Sequence, residues 1–140
     1  MLFTLEYTED QVLQRIRSLA GDAPAHLPEI VTSYDISASY IMRHLDGAPR
    51  GTLAMIDYLQ ILDQQRSKPA LADQMRMLHG FARRTGIVLG FISQIDRAFD
   101  PARKPLPEIG DIRLPNKIAP EIFSKTCFLH DGMVRFQALA

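Results

Sequence analysis

A single cysteine, no net charge and no long apolar run set the first limits on this chain. One thiol gives no disulfide framework, and no Cys/His spacing suits zinc, which fits a reducing cytoplasm. Cys127 stands in the apolar run Thr126-Cys127-Phe128-Leu129 and is read as a small core residue. Sixteen basic and sixteen acidic side chains cancel, so global charge argues neither for nor against nucleic acid. No apolar stretch is long enough to span a bilayer. Residues 1–6 lack the basic and long apolar regions of a signal peptide. There is no internal repeat and no low-complexity segment. No glycine is followed by lysine. A phosphate loop of the form G-x-x-x-x-G-K-[ST] needs that pair, because backbone N–H groups cradle the phosphate while the lysine reaches its outer oxygens.

What is there is one domain's worth of α/β pattern. Residues 2–5 read as a short strand. Thr8-Glu9-Asp10-Gln11 forms a capping box for a helix carrying Val12, Ile16 and Leu19, which Gly21 stops. A Pro-containing loop over 22–28 leads to a strand over 30–34. Ser37 opens a short helix through Leu45, and Gly47-Ala48-Pro49-Arg50-Gly51 turns the chain into a strand over 52–57. Pro69 suits the first residue of a helix whose apolar stripe is Leu71, Met75, Leu78 and Ala82, closed by Gly86. Residues 87–93 are a second strongly apolar strand. The stretch 100–115, rich in proline and charge, is expected to be a mobile loop, and 116–125 to hold a short helix around Pro120. Strands over 126–130 and 133–137 flank Asp131-Gly132, a dipeptide suited to a type I′ hairpin turn. Strand alternating with helix implies a largely parallel sheet flanked by helices, with a C-terminal β-hairpin.

Three polar residues close apolar strands: Glu6, Asp57 and Gln94. In parallel sheets the carboxyl ends share one rim, so these side chains are expected to converge. The set suits nucleotide hydrolysis. An aspartate holds Mg²⁺ through water, a glutamate orients or deprotonates the attacking water, and a neutral amide senses the γ-phosphate. Taken singly, each is equally an ordinary loop residue at a strand end. His79 and His130 have no metal partner at ligand spacing.

The chain resembles the DnaB-type replicative helicases. Phe3-Thr4-Leu5-Glu6-Tyr7-Thr8 is similar to their Ser-Leu-Glu-Met segment, and Ile56-Asp57-Tyr58-Leu59-Gln60 to their Walker B strand. Phe91-Ile92-Ser93-Gln94-Ile95-Asp96-Arg97 resembles their Ser-Gln-Leu-Asn-Arg motif, and Gly110-Asp111-Ile112-Arg113 their Asp-Leu-Arg segment. The motifs stand in family order over nearly the whole chain. The resemblance implies a RecA-like P-loop NTPase fold that binds ATP and Mg²⁺, acts on DNA and assembles as a homo-oligomer in the cytoplasm. It implies that Glu6 is the catalytic glutamate, Asp57 the magnesium-site acid and Gln94 the γ-phosphate sensor. Arg97 and Arg113 become basic residues facing DNA or a neighbouring subunit; as solvated loop arginines they need no such role. A recombinase-like or clock-protein-like ATPase shares the same core motifs. A non-catalytic module that kept the fold for partner contacts is the competing reading.

Two departures stand out. The Walker A strand and loop are missing; Gly47-Ala48-Pro49-Arg50-Gly51-Thr52 is only an echo, since it precedes a strand and Pro49 removes an N–H. In the family that strand comes just before the segment where this chain starts, and lies between the strands matching 87–93 and 126–130. The expectation is a fragment, or a product of an internal start, of a longer helicase-like ATPase, inactive alone. Folded alone, 87–93 is expected to pair directly with 126–130, or an intermolecular contact to fill the gap. The family's Lys-x-Arg finger is also missing. Arg135 is the one basic residue beyond the hairpin turn, and is expected to face solvent on an edge strand. From Arg83 to Lys117, seven basic residues stand against four acidic ones. This mild surplus suits a DNA-facing loop or an ordinary solvated one. Only Phe91 and Phe99 interleave it, so no stacking platform is indicated.

Overall fold

The computed structural model describes residues 1–21, 26–114 and 116–139. Four parallel strands, β1 (Leu2–Thr4), β2 (Ile30–Val31), β3 (Leu53–Asp57) and β4 (Val88–Ile92), lie in the order β2-β1-β3-β4. Three helices connect them: α1 (Glu9–Ala20), α2 (Ala38–His44) and α3 (Leu71–Thr85). Right-handed crossovers put α1, which leads outward from β1 to β2, on one face of the sheet. They put α2 and α3, which lead the other way towards β3 and β4, on the opposite face. The chain is thus α/β, with a parallel sheet flanked by helices and a separate antiparallel hairpin of β5 (Lys125–His130) and β6 (Met133–Ala138).

Local chemistry fixes most boundaries. The Thr8 hydroxyl accepts from the Gln11 N–H, and the Gln11 side chain accepts from the Thr8 N–H, completing the capping box of α1. Ser37 caps α2 through the Tyr40 N–H. Gly86 closes α3 in the left-handed region. Asp131 and Gly132 both take positive φ, as a type I′ turn demands. Residues 22–25 of the expected Pro-containing loop, and Pro115, lie outside the described residues.

The core sits between the sheet and the α2–α3 layer. Phe3, Ala54 and Ile56 point there from β1 and β3, against Ile41, Leu45, Leu71, Met75, Leu78 and Phe81. Fully burying one such aliphatic or aromatic side chain contributes about 1.5–3 kcal/mol. A buried amide ties this layer together. Gln74 accepts from the Ala38 N–H at 3.0 Å and donates to the carbonyls of Leu62 at 2.7 Å and Pro69 at 2.8 Å. A 3-10 helix over Leu59–Asp63, bearing the buried Leu59, Ile61 and Leu62, closes the same layer.

Several expectations are corrected. The strand over 30–34 is only Ile30–Val31, because the Ser33 hydroxyl and carbonyl capture the N–H groups of Asp35 and Ile36 and turn the chain. Pro69 precedes α3: the helix begins at Leu71, and the Pro69 carbonyl is held by Gln74. Cys127 is exposed, since hairpin alternation buries its neighbour Phe128 instead. Arg135 turns inward on that same parity. Its guanidinium lies 5.7 Å from the centre of the Phe128 ring and donates to the Pro107 carbonyl at 2.8 Å. The Pro-rich stretch carries a 3-10 turn over Ile109–Asp111 and a fully buried Pro107. Lys104 bonds Asp111 at 2.7 Å, which holds that carboxyl below, and the ammonium above, its ordinary range. The short helix expected around Pro120 is present, as a 3-10 helix over Pro120–Ile122.

The expected pairing of the second apolar strand with the hairpin does not occur. Among the described residues β4 pairs with β3 alone, and β5 pairs with β6 alone. An apolar strand that reads as central therefore forms an edge.

Candidate active site at the carboxyl rim of the sheet

The parallel register aligns Thr4, Asp57 and Ile92 across β1, β3 and β4. Glu6 and Gln94 each stand two residues beyond their aligned strand ends. The three candidate groups therefore share the carboxyl rim, as parallel topology requires.

Thr4 organises one end of this rim. It is fully buried, donates its hydroxyl proton to Asp57 Oδ2 at 3.2 Å and accepts the Glu6 N–H at 3.1 Å. One hydroxyl thus orients the strand-end aspartate and pins the turn that presents Glu6. Asp57 is half-buried and Glu6 is exposed, so the glutamate carboxylate meets water while the aspartate is held. Sequence reading passed over Thr4; its only signal was a hydroxyl inside an apolar strand just before an acid.

Gln94 and Arg113, which the sequence offered for separate roles, are paired. The Arg113 N–H donates to the Gln94 carbonyl at 2.9 Å, and Arg113 Nη1 reaches Gln94 Oε1 at 3.4 Å. An antiparallel bridge between Ile95 and Ile112, with the Asp96 N–H donating to the Asp111 carbonyl at 2.6 Å, extends the pairing. Gln60 locks it from beneath. Its Nε2 donates to Ser93 Oγ at 3.1 Å and to the Arg113 carbonyl at 2.5 Å, and its Oε1 is buried without a partner in the described structure. Tyr58, Gln60, Gln64, Gln94, Arg113 and Asn116 line a cavity of about 320 Å³ beside this clamp. Arg97 sits apart, exposed in the turn that follows β4.

Asp57 and Glu6 are thus joined through Thr4, and Gln94 joins Arg113, in two neighbouring groups along one rim. Among the described residues, no three His, Cys, Asp or Glu side chains cluster as a metal site. Magnesium in a nucleotide site keeps several waters and needs only one or two carboxylates besides the phosphates. Asp57, with one oxygen bound to Thr4, fits that outer role. The phosphate cradle has no counterpart in the sequence, since no glycine precedes a lysine. No family model matches this chain, and no curated protein matches it. No helix of the described residues is long and apolar enough to cross a membrane.

Proposed function

We propose that this chain is the hydrolytic and DNA-facing part of a RecA-like ATPase core of the kind found in DnaB-type helicases. What supports it most is the Thr4-linked pair of Asp57 and Glu6 at the centre of the parallel rim, with Gln94 two residues beyond the end of the next strand. In this reading, Mg²⁺ bound with ATP supplies charge neutralisation of the phosphates. Asp57, oriented by Thr4, would hold the ion through its water shell. Glu6, free in solvent, orients the attacking water and takes its proton. Gln94 senses the terminal phosphate through its amide. Arg113, whose Nη1 reaches Gln94 Oε1 at 3.4 Å, would face DNA or a neighbouring subunit beside it. The setting is cytoplasmic and the working form a homo-oligomer on DNA.

The reading requires a phosphate loop that these 140 residues do not carry. The chain alone is expected to show no ATP turnover with magnesium and DNA. Joined ahead of β1 to a strand, a G-x-x-x-x-G-K-[ST] loop and a helix, it is expected to hydrolyse ATP. Asp57→Ala then abolishes turnover and Glu6→Gln lowers it by about 10²-fold or more. Turnover by the unextended chain that Asp57→Ala abolishes, or turnover in the joined protein that survives Asp57→Ala, overturns the proposal. A joined protein that folds and binds DNA without hydrolysis favours the non-catalytic module.

A further inference from the structure

Two loops at the carboxyl rim are latched together by one lysine. Residues 32–37 follow β2, and residues 58–70 follow Asp57 at the end of β3. The strands they leave stand on either side of β1. Lys68 Nζ donates to the Ile36 carbonyl at 2.6 Å and to the Ile61 carbonyl at 3.1 Å. Gln65 Nε2 adds a bond to the Tyr34 carbonyl at 3.2 Å. Ile36 and Ile61 are fully buried, and Lys68 is half-buried. Among the described residues no carboxylate forms an ion pair with it. Burial, against a weaker pull from Asp35, holds the Lys68 pKa below its ordinary range.

The other three lysines are placed differently. Lys104 is held by Asp111 at 2.7 Å and by Glu108 at 3.5 Å, which keeps its ammonium above the ordinary range. Lys117 and Lys125 are exposed. An ammonium has no lone pair with which to attack carbon, whereas a desolvated, neutral lysine amine is a nucleophile. That amine has two N–H bonds and one lone pair. The carbonyls of Ile36 and Ile61 take both N–H groups of Lys68, so its lone pair is turned away from them. Lys68 thus becomes nucleophilic without leaving its site.

We propose that Lys68 is an acylation site for small acyl donors of the acyl-phosphate class, and that acylation releases the loop after β3 from the loop after β2. The Lys68 nitrogen bonds to the acyl carbon, the bond from that carbon to the phosphate oxygen breaks, and phosphate leaves with the electron pair. The nitrogen's surplus proton passes to water. The product is an amide with a single N–H, so the carbonyls of Ile36 and Ile61 cannot both keep a donor. A buried acceptor left unpaired is destabilising, and the latch opens. The released loop also carries Gln60, which holds Ser93 and Arg113, so the latch and the Gln60 clamp share one loop. The inference needs no nucleotide chemistry and stands or falls separately from the ATPase reading.

The test is incubation of the intact chain with acetyl phosphate at neutral pH, with initial acetylation rates at the four lysines read by peptide mass mapping. Lys68 is expected to react faster than Lys117 and Lys125, and about tenfold or more faster than Lys104. In urea its lead is expected to vanish, because only the fold supplies it. A Lys68 no faster than Lys117 and Lys125 in the folded chain, or a lead that survives in urea, overturns the proposal. Amide exchange of the Lys68-acetylated chain then reads the latch. The N–H groups of Ile36 and Lys68, bonded to the carbonyls of Ser33 and Gln65, are expected to exchange about tenfold faster or more, while those of Met75 and Leu78 in α3 stay unchanged. Lys68→Arg, which keeps donors and lacks the amine, is expected to resist the reagent at that position and to keep both amides slow. Unchanged exchange after acetylation overturns the latch. So does equal loosening of α3, which signals general unfolding.

Discussion

The two faces of this sheet were built to different degrees of completion. Towards α2 and α3, Phe3, Ala54 and Ile56 are fully buried, and the buried amide of Gln74 has both ends satisfied. On the other side Leu53, Val88 and Ile92 are about half exposed, and the outer edge of β4 pairs with no strand among the described residues. Both sides use the same apolar residue types, so composition does not separate them. What separates them is whether a neighbouring element exists among these residues. Apolar pattern reports what a strand is suited to touch, and only topology reports what it touches.

Isoleucine at two positions draws the contrast most sharply. Ile56→Ala, in the closed layer, is expected to cost about 2–5 kcal/mol in urea unfolding. Ile92→Ala, on the open face, is expected to cost about 1 kcal/mol or less. Similar losses at both sites erase the contrast. Gln74→Ala strands the Ala38 N–H and the carbonyls of Leu62 and Pro69, and is expected to cost about 2–3 kcal/mol by the same measurement. A neutral result means that the closed layer does not depend on its amide. Arg135→Ala removes the contacts to Pro107 and the Phe128 ring and is expected to cost about 1 kcal/mol. No effect there returns Arg135 to the solvated edge.

The smallest effect concerns the tether of the Pro-rich stretch. The Lys104 hydrogen bond lowers the Asp111 pKa, so its contribution is present above the ordinary carboxylate range and is lost as pH falls through the depressed value. Asp111 raises the Lys104 pKa, so that contribution is lost only as pH rises past the ordinary ammonium range. Exchange of the Asp96 N–H, which bonds the Asp111 carbonyl, is expected to show added opening below the carboxylate range that Asp111→Asn removes. A pH response identical in that variant breaks the assignment.

What was legible in the sequence was local. The Thr8–Gln11 capping box, the Gly86 stop and the Asp131-Gly132 turn each depend on residues a few positions apart, so pattern suffices. The strand ends placed Glu6, Asp57 and Gln94 on one rim because parallel topology does so for any such strands. The partners were not legible. Thr4 reaches Asp57 across 53 positions, Gln60 reaches Arg113 across 53, and Gln74 reaches Ala38 across 36. No spacing rule announces those pairs. Cys127 and Arg135 were misplaced for a different reason: in a two-stranded hairpin, parity against the rest of the fold decides which face is buried, and composition favoured the wrong parity.

Residue-resolved hydrogen exchange along β4 of the chain by itself tests the unfinished edge most directly. The account predicts alternation, with the amides of Val88, Gly90 and Ile92 protected by β3 and those of Leu89 and Phe91 exchanging about tenfold faster or more. Uniform protection along all five residues would contradict it.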